Sequence, residues 1–141
     1  MSDTINLTYD VPGDDFTRAG EASSDVKGVL KKLGLSPQVV RKVAIAMYEG
    51  EINMVIHGGG GQITVEVAAD AVTMNLVDHG PGIRDISLAM QEGWSTAPEE
   101  VRNLGFGAGM GLPNMKKYSD EFDIQSTVGV GTTVKMLVNI D

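Results

Sequence analysis

The segment Glu49-Gly-Glu-Ile-Asn53 places a carboxylate and an amide four residues apart, so on a helix the two share one face. Ile45, Ile52 and Ile56 lie on that side. Polar groups in such a setting need partners. Two readings of the spacing stand side by side. In one, Glu49 and Asn53 are satisfied, partly exposed polar groups. In the other, Asn53 offers its amide oxygen to Mg²⁺, a hard cation that keeps several waters, and Glu49 orients or deprotonates a hydroxyl or a water. His57 falls one turn further on the same face. A single histidine at a helix end reads as a structural or capping group, and the two-histidine spacing of a helical zinc site is absent.

Asp78 heads Asp78-His-Gly-Pro-Gly-Ile83 and ends a run in which Val72, Met74 and Leu76 alternate. Its parity turns it toward the apolar face, where a carboxylate needs hydrogen-bond donors. An adenine amino group is one suitable donor, with Gly80 and Gly82 bending the chain beneath the base and Pro81 stiffening the bend. An ordinary Asp-His-Gly turn is the other reading. Gly105-Phe-Gly-Ala-Gly-Met-Gly-Leu112 puts Gly105, Gly107, Gly109 and Gly111 at every second residue before a helical stretch. Exposed amides and a helix start make an anion site; a surface loop is the alternative. No Gly-Lys-Ser/Thr follows, so this is not a Walker loop, and the eukaryotic kinase signatures are missing. Thr132 shares parity with Val134, Met136 and Val138, which turns its hydroxyl inward, toward Asp78 or a ligand.

The elements that position these residues follow from periodicity. Ile5–Val11 alternates as a strand. Asp14–Leu33 reads as a helix with Phe16, Ala19, Ala22, Val26, Val29 and Leu30 inward and Gly34 as terminator. Ser36-Pro37 opens a second helix, with serine as cap and proline in the first turn, running to about His57. Gln62–Ala69 and Val72–Asp78 are alternating strands rich in β-branched residues. Asp85–Gln91 reads as a short helix, Gly93–Gly109 as a long loop, and Leu112–Tyr118 as a helix. Phe122–Thr127 and Val130–Asn139 close the chain as a hairpin. This order predicts one α/β domain over 1–141, a two-layer α+β sandwich with helices on one face of a mixed, mostly antiparallel sheet.

Composition removes several function classes. The chain has 141 residues and 42% apolar content, enough for one core. Eleven basic and nineteen acidic residues leave a net charge of −8, which argues against nucleic acid and against a polybasic membrane anchor. There is no cysteine, hence no disulfide framework and no zinc–thiolate site. No signal peptide or spanning segment is evident, and the expected location is cytoplasmic.

Taken together, these motifs resemble the GHKL ATPases, which share the Bergerat nucleotide-binding fold and include gyrase, histidine kinases and the mismatch-repair ATPase. Glu49 and Asn53 match the N box, Asp78-x-Gly80-x-Gly82 the first glycine box, Gly105–Gly111 the second, and Gly131-Thr132 the late Gly-Thr. Within that superfamily the chain most resembles the small bacterial serine/threonine kinases of partner-switching systems, both anti-sigma-factor and stressosome-switch types. Asp85-Ile-Ser-Leu-Ala-Met-Gln-Glu-Gly-Trp-Ser-Thr96, Gly109-Met-Gly-Leu-Pro-Asn-Met and Asp120-Glu-Phe-Asp-Ile124 carry that likeness. The resemblance implies ATP and Mg²⁺ as ligands, Asn53 as metal ligand and Glu49 as the catalytic carboxylate. It also implies phosphorylation of a STAS-domain partner, with a sigma factor or an output phosphatase or cyclase as further partners, and a possible homodimer. Two alternatives stand: an ATP-binding regulatory module without kinase activity, and a detached histidine-kinase catalytic domain. The chain departs from the family pattern at Gly50, inside the N-box helix, and in having only Arg102 to stand for a lid arginine.

Overall fold

Alternating burial along the strands separates two faces of a single sheet. The computed structural model describes residues 4–13, 18–56, 59–82, 90 and 111–140. In chain order these form β1 (Ile5–Pro12), α1 (Glu21–Lys32), α2 (Pro37–Ile56), β2 (Gly60–Val67), β3 (Ala71–Asp78), α3 (Gly111–Lys117), β4 (Glu121–Thr127) and β5 (Gly131–Asn139). The five strands make one sheet in the order β1-β2-β3-β5-β4. Every pairing is antiparallel, so the sheet expected to be mixed contains no parallel pair among the described strands. The expected helix at Asp85–Gln91 and the loop at Gly93–Gly109 lie outside the described residues, Met90 excepted.

Ile63, Val65 and Val67 of β2, Val72, Met74 and Leu76 of β3, and Val134, Met136 and Val138 of β5 all point to one buried face. Fully burying side chains of this kind contributes about 1.5–3 kcal/mol each. The other face is polar and open, with Thr64, Glu66 and Lys135 exposed. Helix α2 covers the apolar face, and α1 and α3 pack against α2. Val43, Ala46 and Met47 of α2 are sealed in the layer between helices and sheet.

The helix ends follow local chemistry. Val39 donates its N–H to the Ser36 hydroxyl at 3.3 Å, which makes Ser36 the cap ahead of Pro37. At the end of α1, Gly34 adopts a φ of 81° and Leu35 N–H reaches Leu30 O at 3.2 Å. Gly34 N–H reaches Lys31 O at 3.1 Å, completing a Schellman motif. Of the helix expected from Asp14, residues 14–17 lie outside the described residues. The regular helix begins at Glu21, after Gly20 in a left-handed conformation with no side-chain cap of its own. Among the described residues no helix is long and apolar enough to cross a membrane.

Candidate functional site

The candidate site is built at the C-terminal half of α2, the end of β3 and the start of α3. Glu49 and Asn53 are both half-buried on α2, as their spacing predicts. Burial pushes the Glu49 carboxyl above the ordinary glutamate range, and a hydrogen bond from the Asn114 side chain acts in the opposite direction. Asn114 stands on α3, so a second helix contributes to the surroundings of the carboxylate.

Gly50 explains how the two helices come so close. A Cβ built there would lie 2.3 Å from Leu76 Cδ2 and 3.3 Å from Met115 Sδ. Leu76 is on β3 and Met115 on α3, so this one residue is the crossing point of all three elements. Glycine disfavours a helix interior by about 1 kcal/mol relative to alanine, and close packing is what that cost allows.

Asp78 ends β3 facing inward, 7% exposed, as its parity predicts. Its Oδ1 accepts the Gly80 N–H at 3.0 Å and the Thr132 N–H at 3.1 Å. No hydrogen bond within the described residues engages Oδ2. No side-chain nitrogen or oxygen sealed from solvent among the described residues lacks a partner. Oδ2 therefore retains access to solvent and is free to accept a donor from outside the chain.

Thr132 faces inward, as its parity predicts. Its hydroxyl pairs with Ser126 Oγ at 2.8 Å, and its contact with Asp78 runs through the backbone N–H instead. Ser126 Oγ also contacts Gly131 O at 3.2 Å, so the Gly-Thr step is fixed from β4. The β3 end and the β4–β5 turn are in direct backbone contact. Gly129 donates its N–H to Pro81 O at 2.8 Å. A Cβ at Gly82 would meet Thr127 O at 2.5 Å, and one at Gly131 would meet Asp78 O at 2.1 Å. The Gly82 backbone thus abuts protein rather than serving only as a floor beneath a base.

Gly111 begins α3, while Gly105, Gly107 and Gly109 lie outside the described residues, as do His57 and Arg102. The sequence reading gave no role to Glu51, which is 2% exposed. Its Oε2 accepts the N–H groups of Gly20 at 3.0 Å and Ala22 at 3.1 Å, and its Oε1 accepts that of Ser23 at 3.0 Å. Glu51 therefore caps α1 from α2 and fixes the rotation of the helix that carries Glu49 and Asn53. Asn114 was likewise given no role; its position one residue before the inward Met115 was the available signal.

The donor set fits a nucleotide and an oxygen-bound ion. One open carboxylate oxygen at the sheet end suits an amino group of a base. Among the described residues there is no group of three histidine or acidic side chains able to hold a metal. Asn53, half-buried one helical turn from Glu49, offers an amide oxygen of the type a hard cation accepts.

The family model described as histidine kinase-like ATPase domain matches residues 14–138. A relative from Bacillus subtilis (strain 168), "Serine/threonine-protein kinase RsbT", is 34% identical over 115 residues, covering 79% of this chain and 80% of the relative. "Anti-sigma F factor" from Thermoanaerobacter sp. (strain X514) is 36% identical over 102 residues, covering 69% and 68%. Among solved structures, the RsbU and RsbW domains of a Mycobacterium tuberculosis protein align with a TM-score of 0.65 at 15% identity. That alignment covers 96% of this chain and 32% of the longer one, and it speaks to the fold.

Proposed function

This chain belongs to the histidine kinase-like ATPase domain family, and on that premise we propose that it is an ATP- and Mg²⁺-dependent protein serine/threonine kinase. Its acceptor is a serine or threonine of a STAS-domain partner in a partner-switching system. The observation that carries this reading is the Glu49 carboxylate, half-buried and one helical turn from Asn53, with Asn114 of α3 beside it. The name of the Bacillus subtilis relative supports the activity.

When bound, ATP would supply the γ-phosphoryl group and leave as ADP, and Mg²⁺ would neutralise charge on its phosphates. The chain's own residues position the reactants. Asp78 Oδ2 accepts the adenine amino N–H, while Oδ1 stays committed to Gly80 and Thr132. Asn53 would lend its amide oxygen to the ion. Glu49 orients the acceptor hydroxyl and takes its proton, a task suited to a carboxylate whose affinity for protons is raised by burial. Little covalent chemistry is asked of the protein, since positioning and electrostatics dominate phosphoryl transfer.

The test is transfer of label from γ-labelled ATP to a panel of STAS-domain proteins by wild type and Glu49→Gln. Acid-stable label on the acceptor, lost in the variant, supports the reading. Acid-labile label indicates a histidine acceptor and overturns it. A second reading rests on the similarity to the anti-sigma F factor, in which the chain binds a sigma factor when loaded with nucleotide. Nucleotide-dependent sigma-factor binding that persists in Glu49→Gln, with no transfer by wild type, selects this reading instead.

A further inference from the structure

Positive charge is gathered at one end of the helical layer of an otherwise acidic chain. Six of the eleven basic residues sit there: Lys31 and Lys32 in the last turn of α1, Arg41 and Lys42 near the start of α2, and Lys116 and Lys117 in the last turn of α3. The ends converge because α1 and α2 are joined by a short connection and α3 runs antiparallel to α2. Met115 lies beside Gly50, and Tyr118 lies beside Arg41.

The arrangement around Tyr118 is specific. The Arg41 guanidinium stands 5.9 Å from the ring centroid, and the Lys117 ammonium 5.5 Å from the same centroid. Both cations are exposed and neither forms an ion pair within the described residues. Lys116 is exposed in the same last turn of α3. Lys42 alone is neutralised, by Asp120 at 2.9 Å. Helix dipoles account for part of the pattern, because cations in the last turns of α1 and α3 are favoured there. They do not account for Arg41. It lies toward the N-terminal end of α2, where the dipole favours anions, and the first turn of α2 contains no acid. Two like charges sharing one aromatic ring, with neither paired to a carboxylate among the described residues, leave a local positive potential.

We propose that Arg41 and Lys117, paired over Tyr118, with Lys116 exposed in the same helix turn, form a docking surface for a carboxylate-rich segment of a protein partner. Charge complementarity carries the choice of partner. The cations are spread over two helix ends and are open to solvent, which suits an extended acidic segment rather than a single enclosed anion. A nucleic acid or an anionic bilayer would bring its charge against the rest of a chain whose net charge is −8. A local acidic run in a protein of mixed charge meets no such penalty. The surface also lies on the two helices that hold Glu49 against Asn114. Arg41 is eight residues before Glu49, about 12 Å along the helix axis. A partner seated there grips α2 and α3 together without covering the carboxylate.

The test uses the full chain and a fluorescently labelled oligoglutamate peptide, with binding read as anisotropy at low and raised salt. Wild type is expected to bind, more weakly as salt rises. Arg41→Gln/Lys117→Gln is expected to bind about tenfold more weakly. Lys135→Gln, which removes an exposed cation from the open face of the sheet, is expected to bind as wild type does. ATP affinity and the urea midpoint are measured for each variant. Unchanged values tie a loss of peptide binding to the docking surface, independently of the kinase reading and of folding. Absence of peptide binding by wild type overturns the proposal. So does an equal loss in Lys135→Gln, which would make net charge the cause. Undiminished binding by the double variant overturns it as well.

Discussion

Removing the Glu51 carboxylate is the most severe single change among the predictions, because one side chain does the work of a whole helix cap. Gly20 occupies the cap position of α1 and offers no side chain. Glu51 instead takes the N–H of Gly20 itself and those of Ala22 and Ser23, the positions an N-cap and capping box normally satisfy. Hydrogen bonds to a charged acceptor contribute about 1.5–3 kcal/mol each. A simple sum over three overshoots, since the carboxylate is itself desolvated and part of the opened space can admit water. The lower bound is an ordinary cap, about 0.5–2 kcal/mol. We therefore expect Glu51→Ala to destabilise the fold by about 3–4 kcal/mol. Typical domains have about 5–15 kcal/mol in total. With a urea slope of about 2 kcal/mol/M, the midpoint falls by about 1.5–2 M. Glu51→Gln keeps one acceptor oxygen but brings an NH₂ group against backbone donors, so an intermediate loss is expected. Equilibrium urea unfolding followed by circular dichroism is the assay. A loss below about 1 kcal/mol for Glu51→Ala, with native helix content retained, refutes the reasoning.

The remaining predictions concern the site. Asp78→Asn should weaken ATP binding by about 10–100-fold, the loss expected for one charged hydrogen bond; calorimetric affinity equal to wild type in a folded variant would remove the base-recognition role. Gly50→Ala should destabilise the fold by about 1–3 kcal/mol despite alanine's better helix propensity, because its Cβ would lie 2.3 Å from Leu76 Cδ2; a raised thermal midpoint would contradict the packing argument. Phosphoryl transfer should rise with pH along a limb lying above the ordinary glutamate range, since burial raises the Glu49 pKa and the ionised form is the base. In Asn114→Ala that limb should move further up, because the bond that lowers the pKa is gone; an unmoved limb counts against the Glu49–Asn114 pair. The stability effect has the opposite sense: the folded carboxyl holds its proton more tightly than the unfolded one, so its stabilising contribution is present at low pH and lost as pH rises through the folded value. Asn53→Ala should lose the Mg²⁺-dependent part of ATP affinity, and equal affinity with and without Mg²⁺ in both proteins would count against the metal role.

Local signals made much of this architecture legible. Alternation placed all five strands to within about two residues, because one face of the sheet is buried and side chains repeat every two positions. The same parity put Asp78 inward. Ser36-Pro37 and Gly34 marked helix ends because capping depends on neighbours in the chain. The start of α1 was not legible for the converse reason. Its cap comes from Glu51, between 28 and 31 residues away along the sequence, and no periodicity within α1 announces it.

The site divides along the same line. Helical spacing alone put Glu49 and Asn53 on one face, but the Asn114 side chain that tunes Glu49 comes from another helix. The inward turn of Thr132 was readable from parity, whereas its hydroxyl partner Ser126 depends on how β4 registers against β5, with Ser126 opposite Thr132. Gly50 is the sharpest case. Read locally it is a defect in a helix that carries two functional groups. In the fold it is the place where α2, α3 and β3 meet, and a side chain there would force them apart. Separating those elements would move Asn114 away from Glu49. A residue with no chemistry of its own thus sets the distance on which the carboxylate's environment depends, and sequence spacing cannot report a distance fixed by three elements at once.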